Sequence, residues 1–319
     1  MTLDPQAQLV LDIAEKSGRP SFETLSPVEA RALYEDMAKA SAGPPPEIFQ
    51  SEDMTAPGPY GPIPLRVYRP RDAGSTPMAM LIYYHGGGYV IGSRDSHDVI
   101  CRHLALAGDC LVVSVDYRMA PEFPFPKPVE DCWAATTWIC DHASDLGGRA
   151  DKVAVGGDSA GGNLATVMCL MARDQGGPAF VYQLLIYPGT DMTRGLPSHT
   201  ELADGYRLTK PLIDWFMDQY FSGDNKDLRH PLCSPLFIED LSGLPPALVV
   251  SAGYDPLKDE DEAYFDRLVA AGVEARHSHY PGMIHGFINV TAILDAASAC
   301  LAECGAALRD AFAKDWTPE

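Results

Sequence analysis

The chain has 319 residues, 46% of them hydrophobic and 21% charged, which is ordinary globular composition and enough chain to bury a full core. With 24 Lys and Arg against 44 Asp and Glu the formal net charge is −20, which argues against nucleic acid and anionic lipid as partners. No apolar run approaches the length of a membrane-spanning helix.

The first twenty residues carry no basic n-region and no small-residue cleavage site, so a signal peptide is not expected and the cytoplasm is the expected compartment. Eight cysteines are scattered without a C-x-x-C pair, several within apolar runs such as VMCLMA. That pattern reads as buried, reduced thiols rather than a disulfide framework or a zinc site.

Residues 1–50 read as a helical arm. In LSPVEARALYEDMAKA, Ser26 is an N-cap, Pro27 takes the first helical position and Glu29 closes a capping box. The cluster AGPPPE then ends the arm. Beyond it strands are expected at 63–70, 78–85, 110–117, 152–159, 180–188, 246–255 and 274–282, with helices near 96–107, 128–144, 160–173, 257–271 and 291–313. Several of these strands are continuous apolar runs, the pattern of strands buried on both faces. The fold class is α/β: a doubly wound, mostly parallel central sheet flanked by helices.

Between Pro188 and Pro246 the gap is too long for an unstructured loop and holds the amphipathic stretch LTKPLIDWFMDQYF. A helical insertion is expected there, forming with the arm a cap over the carboxyl edge of the sheet, where open α/β proteins bind ligands. The expected plan is an arm at 1–50, core at 51–189, a cap insertion at 190–240 and core again at 241–319.

The chemistry is concentrated at the ends of the expected strands. Gly157-Asp158-Ser159-Ala160-Gly161 is a G-x-S-x-G sequence between a strand and a helix, where small neighbours permit the sharp turn that exposes a nucleophilic serine. A phosphate loop would need a Gly-Lys-Ser/Thr ending or a G-x-G-x-x-G pattern, and neither is present. A serine nucleophile needs a base and the base an orienting acid. His285, in YPGMIHGF, follows the last strand; Asp255, in SAGYDPLKDE, ends the strand before it, and Asp191 is the second candidate for the acid. Asp259 and Asp261 fall on the next helix and are read as solvated. His277 and His279 share one face of a strand, a packed or solvated face rather than a metal pair. The three glycines after His85 permit bare backbone to approach a ligand closely, and backbone N–H groups there and at Ala160 are suited to hold an oxyanion.

HGGGY, then GDSAGG about seventy residues later, then DPLKDE and GMIHGF together resemble the hormone-sensitive-lipase-like esterases of bacterial family IV, as does the intervening DYRMAPEFPFPKPVEDC. The resemblance covers about residues 60–290. It implies an α/β-hydrolase core with a helical cap, no cofactor or metal, and hydrolysis of carboxylic esters, usually of short acyl chains. By motif position it implies Ser159, Asp255 and His285 as the triad and Gly86, Gly87 and Ala160 as oxyanion donors, with His85 bracing the loop. A small neutral ester is the expected partner, and a homodimer through the last strand and helix occurs in members of the family.

Tyr89, Val90, Tyr206, Leu208, Trp215 and Phe216 are candidates for the substrate pocket, as they are for plain packing between cap and core. A non-catalytic receptor on this fold, or an amidase or lactonase using the same triad, are the alternative functions.

Overall fold

Local sequence starts each of the first two helices of the computed structural model, which describes residues 2–314 apart from 73, 75 and 222–225. Helix α1 (Pro5–Lys16) is capped by Asp4, whose side chain accepts from the Gln6 N–H at 2.7 Å. Helix α2 (Pro27–Ser41) begins with the expected capping box: Glu29 N–H donates to Ser26 Oγ, and Ser26 N–H donates to the Glu29 carboxylate.

Eight strands then form one sheet: β1 (Gln50–Ala56), β2 (Ile63–Arg69), β3 (Met78–Tyr84), β4 (Leu111–Val115), β5 (Gly148–Asp158), β6 (Phe180–Ile186), β7 (Ala247–Tyr254) and β8 (Ala275–Ile284). Their order is β1-β2-β4-β3-β5-β6-β7-β8, with β1 and β2 antiparallel to their neighbours and every later pairing parallel. Strand β1 is not among the expected strands. Its QSEDMTA pattern has no apolar alternation because it lies at the sheet edge, mostly exposed, and its backbone pairing with β2 defines it.

The two-residue period divides each central strand between two cores. In β3, Met80, Ile82 and Tyr84 face one side, packing with residues of α4 (Lys127–Asp141), α5 (Ala160–Gln175) and α8 (Lys258–Ala270). Leu81 and Tyr83 face the other, among residues of α3 (Asp98–Gly108) and α9 (Asp295–Ala313). All five strand side chains are fully buried, which is why β3 reads as an unbroken apolar run.

The long connection from β6 to β7 carries, among its described residues, two α-helices, the short α6 (Ser198–Glu201) and α7 (Lys210–Tyr220). Thr209 caps α7, its Oγ1 accepting from the Leu212 N–H. The expectation that Asp259 and Asp261 are solvated fails for Asp261. Its side chain is completely buried on α8 and neither carboxyl oxygen has a hydrogen-bond partner among the described residues. Burial, with Asp255 and Glu260 nearby, pushes its pKa well above the usual carboxylate range. Asp259 is half-buried, and accepts from the Ser198 N–H at 2.9 Å.

Candidate active site

Parallel strands end on one edge of the sheet, and the motifs meet there. Strand β5 ends at Asp158 and α5 starts at Ala160, leaving Ser159 alone at the turn with φ 55° and ψ −119°. A non-glycine residue held at positive φ is strained, and only tight surroundings maintain it. Here Ser159 N–H donates to the Ile186 carbonyl at 2.8 Å, while the Gly161 backbone lies so close to the Tyr84 carbonyl that a Cβ would collide with it. Asn163, fully buried one turn into α5, donates through Nδ2 to the Gly189 and Cys233 carbonyls at 2.6 and 2.8 Å, tying the turn to both ends of the insertion.

The loop after β8 brings His285 to this turn. Its Nε2 lies 3.0 Å from Ser159 Oγ, and its Nδ1 lies 2.6 Å from Asp255 Oδ2. Asp255, at the end of β7, is completely buried, and its other oxygen accepts from the Leu257 N–H at 2.9 Å. A carboxylate accepts only, so it places the imidazole proton on Nδ1 and leaves the Nε2 lone pair facing the serine hydroxyl. Tyr187 packs its ring 4.8 Å from the imidazole. Asp191, the other candidate acid, is turned into its own loop, accepting from the N–H groups of Thr193 and Gly195 at 2.7 and 3.3 Å.

The glycine loop requires one correction. Gly86 does not offer a free N–H to the site, because it already donates to Asp158 Oδ1 at 3.0 Å, in the interior. Gly87 and Gly88 line the cavity with Ser159 and Ala160, and the N–H groups of Gly87, Gly88 and Ala160 have no acceptor among the described residues. Gly87 has φ +118°, and a Cβ there would strike the Ile91 carbonyl. That close approach is what the glycine run provides.

Asp158 anchors the loop from below. Its carboxylate accepts from Tyr83 Oη at 2.8 Å and from Gly86, and faces His97 Nε2 at 3.3 Å. Burial alone would raise its pKa. The charge and hydrogen bond of His97, the Tyr83 hydroxyl and the neighbouring His85 outweigh burial and hold it at about 2. His85 is stacked on Tyr117 at 4.4 Å, and its Nδ1 bonds the Gly86 carbonyl at 2.8 Å. Burial, reinforced by His97, lowers its pKa to about 3, so it is a neutral brace for the loop.

The cavity above these groups has a volume of about 1040 Å³ including its open mouth. Of the pocket candidates, Tyr89, Leu208 and Phe216 line it. Val90, Tyr206 and Trp215 do not. Val90 is completely buried in the core under the loop, Tyr206 packs on Tyr254 at 4.9 Å, and Trp215 packs on Phe216 at 5.4 Å. Residues the sequence did not single out complete the wall, among them Phe22 and Tyr34 from the arm and His199, whose Nε2 pairs with buried Glu260 at 2.8 Å. His277 and His279 both bond Ser251 Oγ, at 2.7 and 2.8 Å.

Known proteins with similar sequences share this arrangement of elements. The family model described as the alpha/beta hydrolase fold matches residues 81–289. Carboxylic ester hydrolase LipN of Mycobacterium tuberculosis is 43% identical over 314 residues, 97% of this chain and 83% of that protein. An ester hydrolase from the metagenome of Lake Arreo, solved with a bipyridine phosphonate derivative, superposes with a TM-score of 0.95 at 42% identity, covering 98% of this chain and 100% of its own. A hyperthermophilic esterase from the archaeon Pyrobaculum calidifontis superposes with a TM-score of 0.91, also at 42% identity, over 97% of this chain and 99% of its own. By its sheet, its ordered motifs and these matches, the chain belongs to the α/β-hydrolase fold family.

Proposed function

We propose that the protein is a serine carboxylesterase acting on small esters through an acyl-enzyme. The observation that carries this reading is a continuous hydrogen-bonded chain from Ser159 to His285 to Asp255, opening on a cavity also lined by Gly87, Gly88 and Ala160, whose N–H groups have no acceptor among the described residues. The carboxylesterase activity of the relatives supports it.

His285 takes the Ser159 proton as the hydroxyl oxygen attacks the ester carbonyl, and Asp255 stabilises the imidazolium that forms. The tetrahedral oxyanion receives hydrogen bonds from Gly87, Gly88 and Ala160, each worth about 3–4 kcal/mol in a preorganised site. His285 then gives its proton to the leaving alcohol. Water enters, loses a proton to His285 and attacks the acyl-enzyme, and Ser159 leaves with that proton. His285 must be neutral to start either half. These steps need no cofactor. The arm and the 190–240 insertion act as a cap, since Phe22, Tyr34 and Leu212 reach the cavity from them. The buried thiols suit a reducing compartment, the cytoplasm.

Initial rates on p-nitrophenyl esters from acetate to palmitate, for the wild type and Ser159→Ala together, test the proposal. Short-chain turnover that vanishes in the variant is expected. Turnover that survives Ser159→Ala, or none in either protein, overturns it.

A further inference from the structure

One cation on the cavity wall is unmatched. Arg194 pairs with Asp214 and His199 with Glu260, but Arg207 forms no ion pair among the described residues. Its backbone is left-handed, φ 71°, a conformation a β-substituted residue adopts only when its surroundings impose it. That backbone brings the guanidinium to the residue beside the catalytic base: Nη1 donates to the Gly286 carbonyl at 3.1 Å, leaving the other donors of the fork without a protein acceptor among the described residues.

Two further polar groups of the same cavity stand unsatisfied. Asn289, a cavity-lining residue only 5% exposed, donates its backbone N–H to that same Gly286 carbonyl at 3.2 Å, and its buried Oδ1 lacks any partner among the described residues. A half-turn of the amide exchanges that acceptor for an N–H donor. Tyr34 lines the same cavity, its hydroxyl unengaged among the described residues. Leu208, Phe216 and Leu257 are among the apolar residues lining the same cavity. A lone guanidinium and an unpartnered amide at one carbonyl, with a phenol lining the same cavity, form a wall with surplus donors. A carboxylate has the complementary surplus of acceptors.

Building on the esterase reading, we propose that the Arg207 corner binds a carboxylate carried by the ester substrate, so that the enzyme favours carboxylate-bearing esters over neutral esters of the same shape. The negative charge of the whole chain repels anions, and the Arg207 corner supplies the local attraction that offsets it.

The test compares two matched pairs. Monoethyl succinate against ethyl pentanoate places the carboxylate in the acyl part, and acetoxyacetate against isobutyl acetate places it in the alcohol part. Each is read as the ratio of kcat/KM for the anionic over the neutral ester, so that any general loss of activity cancels. In Arg207→Met, which keeps the apolar stem, the ratio should fall at least about tenfold for one pair, the size of one charge-assisted bond. Arg207→Lys should restore part of it. The affected pair identifies the half of the site the Arg207 corner serves. A ratio equal in the wild type and Arg207→Met for both pairs overturns the inference and leaves the esterase reading intact, while failure of the wild type to hydrolyse any ester overturns both.

Discussion

Asp158→Asn removes one charge from beneath the oxyanion loop and keeps the side chain's shape. The carboxyl is completely buried and held at about 2 against an ordinary 3.8. That difference corresponds to about 2 kcal/mol of folding free energy. Because the folded-state value lies below the unfolded one, the stabilisation is complete above about pH 5 and is lost as pH falls toward 2. The variant should therefore be less stable than the wild type by about 2 kcal/mol at pH 7, with the gap roughly halved by pH 3. Urea unfolding of both proteins across this range, followed by fluorescence with the slopes compared, measures it. The same substitution weakens the hold on Gly86, so kcat should fall about tenfold, less than the ~10²–10³ for outright loss of an oxyanion donor. A stability gap of unchanged size from pH 7 to pH 3, or none at pH 7, refutes the reasoning.

Asp255→Asn should lower kcat by about 10³–10⁴ by removing the acceptor that fixes the His285 tautomer, and Asp191→Asn, which does not touch His285, should cost far less; steady-state kinetics on one short ester compares them. Gly87→Ala forces a Cβ against the Ile91 carbonyl, so it should lower kcat by about 10²–10³ through displaced donors while circular dichroism shows a retained fold. For Asp261 the folded-state pKa is raised, so its contribution is intact at low pH and is lost as pH rises through the folded value. Asp261→Asn should accordingly gain stability over the wild type between pH 5 and pH 8, by at most about 1.4 kcal/mol per pH unit, in thermal melts at both ends.

The parts of the site that follow from local sequence are legible in the residues themselves. A strand–turn–helix with small residues around Ser159 can fold in few ways, and His285 and Asp255 each end a late strand, so topology alone sends them to the same edge. The capping box at Ser26 and the helix of the insertion are readable for the same local reason. What escapes such a reading depends on three-dimensional partners. Gly86 and Gly88 are indistinguishable in a run of three glycines until Asp158, seventy-two positions on, is seen to take the first N–H. Asp261 looks like any acidic residue on a helix until its burial beside Asp255 is known. Val90, in an apolar run, is as fit for a pocket as for the core beneath it. Strand β1 has no apolar signature because an edge strand needs only backbone pairing.

Ser159 and His285 lie 126 positions apart in the chain and 3.0 Å apart in space, on the turns that follow β5 and β8. Two intervening parallel strands, β6 and β7, must pair in register before the imidazole can meet the hydroxyl. Non-local parallel pairing is slow to form, so the Ser159–His285 contact is expected among the last the chain makes. Ester turnover in a refolding mixture therefore counts completed molecules, while fluorescence or circular dichroism also registers half-built ones. The lag between the two signals times the closing of the sheet.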